Sequence, residues 1–362
     1  MNEEELQEVL RRIQFNKTEA ETLVSLVEDA ISKGRKVQSE NRRLSELCGR
    51  LLNGFREKGL IMDENKIAGI EPENVAVGVD GSFFPVGGLG GLWYVPMSVA
   101  RVVFENGLSS QPHVDIFDAH VEEIQESSEG TNVNLLAAIK MMIGEGKAVL
   151  NWGSKKRKSV LLIDGPIVDP PAYLDDTFVD YRVSALKTAL DSCLVVGCVK
   201  RSKDKLVRNM IVEDGSRDSF PSDQHLFLYV FTKMREIVPR GALYTVPFLV
   251  EPQGVFAKYD NKGVRVAFMF FQKDASTTVL RLDLVGYSDF IEAPERLKEI
   301  ALEAARNVND WTYPGQDVPL PVELAHEKCK VRQGCAEVLY DEIMSRAKAS
   351  DRFGQIISLQ LR

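Results

Sequence analysis

Residues 74–84 read NVAVGVDGSFF, and residues 159–166 read SVLLIDGP. Each is an apolar, β-branched run that delivers an aspartate, Asp80 or Asp164, immediately before a glycine turn. The uncharged residues before Asp164 mark a strand covered on both faces. A carboxylate at the end of such a strand is costly to bury unless something pairs with it. Two of them on neighbouring strands repel, and a divalent cation bridging their oxygens removes that conflict. Oxygen donors point to Mg²⁺ or Mn²⁺ rather than zinc. The alternative is that each aspartate only caps its turn, because Asp-Gly is a common turn pair.

Outward from these two runs the chain alternates. WYVPMSVARVVF (93–104) and HVDIFDA (113–119) read as strands, so with 74–84 they form a three-strand meander. A helix is predicted over 132–144, followed by a basic loop at Lys155, Lys156, Arg157 and Lys158, the second aspartate strand, a helix over 180–192, and the strand CLVVGCVK (193–200). HLFLYVF (225–231), ALYTVPFLV (242–250), GVFAKY (254–259), VRVAFMFF (264–271) and TVLRLDLVGY (278–287) look strand-like, and helices are predicted over 290–307 and 320–348. A meander followed by strand–helix–strand alternation implies an α/β fold with a mixed sheet and flanking helices. Residues 3–57 carry apolar residues at three- and four-residue intervals, interrupted at Lys33-Gly34, which predicts an N-terminal helical hairpin. The expected organisation is a hairpin over 1–60, serving a dimer or partner contact, and a main domain over 70–350.

Composition narrows the function. The 362 residues hold 45 Lys+Arg against 53 Asp+Glu, a formal charge of −8, which argues against coating nucleic acid by bulk charge but allows a local basic track. Cys48, Cys193, Cys198, Cys329 and Cys335 form no CxxC pair, so no disulfide framework is indicated. The start MNEEELQEVL lacks a signal-peptide pattern, and no apolar run reaches the roughly 18 residues needed to span a bilayer. A soluble, cytoplasmic protein is expected. The glycines at 87–91 fit neither GxGxxG nor GxxxxGK[ST], and no GxSxG appears. His113, Asp115, Asp118 and His120 lie on one strand; strict alternation puts the first two on one face and the last two on the other.

In their order, these segments resemble the NurA nucleases over residues 75–345. VAVGVDGSF and LLIDGPIVDPP match the family's two aspartate motifs, VVGCVKRSKDKLV its Lys-Arg segment, SFPSDQHLF a following Ser-Asp element, TVLRLDL a strand with an arginine and an acid, and PLPVELAHEKCKV a helix bearing a histidine. The resemblance implies an RNase H-like fold and a 5′-to-3′ DNA nuclease that works with a hexameric HerA-type translocase in DNA end resection, as a toroidal homodimer. It places Asp80, Asp164, a glutamate between them, and His326 at one or two Mn²⁺ or Mg²⁺ ions. The glutamate is assigned to Glu129, with Glu122, Glu123 and Glu126 as alternatives. Lys200, Arg201 and Arg281 are implied DNA contacts, with Asp283 beside the last. The family's Tyr-Pro register falls on Val318-Pro319 here, while Tyr313-Pro314 sits five residues upstream, so Tyr313 is the candidate tyrosine. Two rival readings stay open: an RNase H-like enzyme acting on RNA or branched DNA, and a catalytically silent DNA-binding or regulatory subunit.

Overall fold

The computed structural model describes residues 20–88, 91–126, 132–168 and 176–346. Its strands are β1 (Ile61–Asp63), β2 (Ala76–Phe83), β3 (Val86–Gly87), β4 (Leu92–Phe104), β5 (His113–Gln125), β6 (Ser159–Asp164), β7 (Cys193–Val199), β8 (Leu243–Thr245), β9 (Phe248–Leu249), β10 (Val264–Gln272) and β11 (Leu280–Tyr287). The helices are α1 (Ala20–Glu57), α2 (Val133–Gly153), α3 (Asp176–Leu190), α4 (Leu206–Ile211), α5 (Asp223–Met234), α6 (Val255–Asp260), α7 (Pro294–Asp310), α8 (Leu320–Cys329) and α9 (Gln333–Arg346), with single turns at Asp214–Arg217 and Ser288–Ile291.

All eleven strands share one sheet, ordered β1-β8-β10-β11-β7-β6-β2-β4-β3, with β5 on β4 and β9 on β10. The meander β2–β4–β5 is antiparallel, whereas β2–β6 and β6–β7 are parallel. That mixture is the one expected from a meander followed by strand–helix–strand alternation. The parallel register sets Val79 beside Ile163 and Ile163 beside Gly197, so β6 and β7 end close to the level of Asp80. Strand β2 runs on to Phe83, paired with β4, so the turn expected after Asp80 is found only after Asp164.

Period-2 alternation splits the apolar residues of these strands between two cores. Val77, Val79, Leu161, Ile163 and Val195 face α1, α2, α3 and α5, while Ala76, Val160, Leu162, Val196 and Cys198 face α7 and α8. Helices on both faces explain why the central strands read as continuous apolar runs.

Four expectations change. Helix α1 passes through Lys33-Gly34 without a break, because one glycine costs only about 1 kcal/mol inside a helix. Residues 3–19 of the expected hairpin lie outside the described residues. Segments 225–231 and 254–259 are the helices α5 and α6. Leu226, Phe227, Val230 and Phe231 make one fully buried face of α5, and Leu228 on the exposed side breaks the polar face that marks a surface helix. Ser222 caps α5, accepting from the His225 amide at 3.2 Å. The long C-terminal helix is two helices, α8 and α9, parted at 330–332. Finally, a bulge in β5 opposite Val99 and Ala100 brings Asp118 to the same face as Asp115. Asp115 pairs with Arg101, and Asp118 lies beside Gly144 of α2.

Candidate metal centre

Asp80, Asp164 and His326 converge where β6 ends beside the interior of β2. Even-numbered residues of both strands point to the α8 face, so Asp80 and Asp164 emerge there side by side, and α8 lays His326 across them. His326 Nδ1 lies 2.8 Å from Asp80 Oδ2 and 3.7 Å from Asp164 Oδ2. Each of the three offers a ligand atom within 4.8 Å of the others, the one such group among the described residues. The aspartate side chains are 7% and 13% exposed and His326 is 36% exposed, so the cluster opens to solvent on the histidine side.

Gly78 makes this approach possible. A Cβ there would stand 2.1 Å from the Pro321 carbonyl oxygen, so α8 rests directly on the backbone of β2. Asp80 Oδ1 accepts from the Gly81 amide at 2.8 Å. Burial first, and the charge of Asp164 second, push the Asp80 carboxyl up to about 6; hydrogen bonds with His326 and Cys329 act against them. The Cys329 thiol, 3.4 Å from Asp80 Oδ2, is itself raised by burial and by that carboxylate, and so stays a neutral donor.

Lys200 extends from the end of β7, and its Nζ donates to Asp164 Oδ2 at 2.8 Å. Burial works against its charge, but Asp164 outweighs burial and holds the ammonium above its usual range. Two carboxylates and one imidazole form an electron-rich pocket suited to a hard divalent cation, and the Lys200 ammonium is already drawn to it. Beside it runs a cleft of about 610 Å³ lined by Lys200, Arg201, Gln224, Leu228, Glu323 and His326, among others.

Sequence reasoning missed Glu145. This buried carboxylate of α2 has its Oε1 3.0 Å from where a Cβ on Gly81 would stand, and its charge reaches the Cys329 thiol. The signal was present in GEG (144–146): an acid on the buried face of an apolar helix, between two small residues. Glu129 lies outside the described residues. Glu122 pairs with Lys140 and Glu126 accepts from Trp93, so neither is directed to the aspartates.

The remaining assignments divide. Arg201 is exposed and lines the cleft. Arg281 does not reach solvent: it is 2% exposed, its Nε donates to Asp283 at 2.7 Å, its Nη1 pairs with Asp204, and it lies over the Phe268 ring. A DNA contact there is corrected to a buried ion pair. Asp223 is likewise internal, accepting from the amides of Val207 and Arg208 at the start of α4. Tyr313 is 43% exposed in the turn after α7 and is not among the residues lining the cleft, where Val318 stands instead. The basic run Lys155–Lys158 precedes β6, about 20 Å of strand from Asp164. There Lys155 lies over Trp152, Arg157 pairs with Glu105, and Lys158 pairs with Glu73.

The NurA domain family model matches residues 74–331, a span that includes every member of this centre. The chain belongs to the NurA family. No curated protein matches it by sequence. Among solved structures, one described as NurA is 11% identical, with 86% of this chain and 97% of that chain covered and a TM-score of 0.49. Endonuclease V of Ciona intestinalis bound to DNA is 12% identical, covering 82% and 96%, with a TM-score of 0.34. Human endonuclease V is 13% identical, covering 80% and 95%, with a TM-score of 0.31. Membership makes this NurA protein part of a nuclease family, and no described helix is long and apolar enough to cross a membrane.

Proposed function

We propose that this NurA protein is a divalent-metal-dependent DNA nuclease. The observation that carries the reading is the meeting of Asp80, Asp164 and His326 at one end of the sheet, with Lys200 beside them. Asp80, Asp164 and His326 would hold Mn²⁺ or Mg²⁺, with Glu145, in place of Glu129, as the further carboxylate of the centre. The bound ion supplies Lewis acidity for phosphodiester cleavage and lowers the pKa of attacking water. The protein's own groups do the positioning. Asp80, backed by the Gly81 amide and Cys329, keeps one carboxylate edge fixed. His326, on a helix seated on bare backbone, fixes the height of the imidazole above the aspartates. Lys200 and Arg201 present cationic donors where a phosphate enters from the cleft.

In its finer form the reading is a 5′-to-3′ nuclease acting in DNA end resection and double-strand break repair. It works in the cytoplasm as a homodimer with a HerA-type hexameric translocase. A chain of net charge −8 suits that arrangement, since a partner ring would deliver DNA to a small basic track. The test is degradation of 5′- and 3′-end-labelled DNA in Mn²⁺, Mg²⁺ or EDTA. Wild type should shorten DNA from one end in metal only, and Asp80→Ala, Asp164→Ala and Glu145→Gln should each lose at least a hundredfold. Wild type that leaves DNA intact, alone and with its translocase, sinks the reading.

A further inference from the structure

The segment after β7 turns through Lys200, Arg201 and Ser202 and carries two of the cations that border the cleft, the third being Lys330 of the loop after α8. The segment is neither strand nor helix, and its own hydrogen bonds are those between Ser202 and Asp204, beyond the two cations. Gln224, on the first turn of α5, reaches it from the side. Its Nε2 donates to the Lys200 carbonyl at 2.8 Å, and its Oε1 accepts from the Ser202 amide at 2.9 Å. One carboxamide thus bonds residues i and i+2 as a neighbouring strand would, with Arg201 between them. The same Nε2 also donates to the Val279 carbonyl, just before β11.

A second grip comes from beneath. Arg281 Nη1 donates to Ser202 Oγ at 2.9 Å and pairs with Asp204. Its partner Asp283 accepts from the Ile167 amide at 3.1 Å, in the turn that follows Asp164. The buried Arg281–Asp283 pair therefore ties the segment bearing Lys200 to the segment bearing Asp164. Asp204 is pinned again through its carbonyl, which accepts from the Asp223 amide at 2.8 Å.

We infer that Gln224 is a positioning residue for the reaction, acting with Arg281 to hold the Lys200–Arg201 arm so that its cations meet the incoming phosphate. The inference rests on the nuclease reading and goes beyond it. Gln224 does not touch the aspartates, and although it lines the cleft its carboxamide is committed to the backbone of the segment. It fixes the backbone from which Lys200 turns inward to Asp164 and Arg201 turns out to the cleft. Losing that bracket leaves both cations in the chain but averages their positions, so substrate capture suffers while the metal ligands stay in place.

The experiment compares wild type with Gln224→Leu, Arg201→Ala and the double variant on labelled single-stranded DNA in Mn²⁺, over a range of salt. Gln224→Leu should raise KM about tenfold and make the dependence of log KM on log salt shallower by about one, the signature of a lost phosphate contact. Arg201→Ala should do the same, the double variant should add little to either, and half-saturating Mn²⁺ should stay within about twofold. Gln224→Glu keeps the acceptor for Ser202 and loses the donor to Lys200, so it should fall between, and it serves if Gln224→Leu does not fold. Wild-type KM and salt slope in a folded Gln224 variant overturn the inference while the nuclease reading stands. So does a loss of active enzyme with KM unchanged, which marks a purely structural role. A wild type that cleaves no DNA under any condition removes both.

Discussion

Asp80 is the residue on which the centre's own electrostatics press hardest. Its carboxyl is displaced from 3.8 to about 6, chiefly by burial, which corresponds to about 3 kcal/mol. The folded protein binds this proton more tightly than the unfolded chain does. Stability from the group is therefore complete near pH 4 and is lost as pH rises through about 6. Asp80→Asn mimics the protonated form, so in EDTA at pH 7.5 it should be more stable than wild type by up to about 3 kcal/mol and catalytically dead. Urea unfolding at several pH values checks this, and the gain should vanish toward pH 4. Asp80 and Asp164 were legible in the sequence because two apolar runs each deliver a carboxylate before a glycine, and His326 only through the resemblance of its helix to the family's. Glu145 was not, because helix α2 is apolar on several sides and its period reveals no special face. Arg281 misled for a related reason: sequence shows a cation, and only the packing shows Asp283 and Phe268 consuming it.

At the scale of elements, the join between α8 and β2 sets the geometry. Gly78→Ala would place a Cβ 2.1 Å from the Pro321 carbonyl oxygen, a backbone atom that cannot rotate away. The helix must lift, or β2 must bend, at a cost of about 3 kcal/mol or more. His326 would rise with it. Thermal unfolding should show the loss, and activity measured well below the new midpoint should still be depressed, because the displacement survives in the folded state. The strands β2, β4, β6, β7, β10 and β11 were readable as short apolar runs of high β-branched and aromatic content. Segments 225–231 and 254–259 were not: aromatic-rich runs favour strand by local propensity, and tertiary burial with a Ser222 cap overrides it in α5. The bulge in β5 is another such limit, since a single inserted residue inverts every face assignment beyond it.

For the whole molecule, metal and fold are linked by mass action. A cation that binds the assembled centre and not the unfolded chain adds about 2.7 kcal/mol at a hundred times its Kd. Mn²⁺ titrated into metal-free protein should raise the thermal midpoint by several degrees, and Asp80→Ala or Asp164→Ala should remove most of the rise. A midpoint indifferent to Mn²⁺ in wild type would separate this chain from a metal-dependent mechanism whatever its activity. The N-terminal region shows how burial divides one element. Leu44, Leu47, Cys48, Leu52 and Phe55 of α1 are in the main core, while Val24, Leu26 and Val37 are exposed. Sequence periodicity is the same along both halves, so it could not tell which half the domain covers.

The histidine and its first aspartate partner are 246 residues apart in the chain. Synthesis proceeds from the N-terminus, so both aspartates and the whole sheet emerge before the helix that completes the centre. A nascent or truncated polypeptide ending before residue 320 would carry the carboxylates but not His326, and the backbone of β2 at Gly78 would lie uncovered. On the proposed reading, a polypeptide released before residue 320 holds both carboxylates yet should cut no DNA.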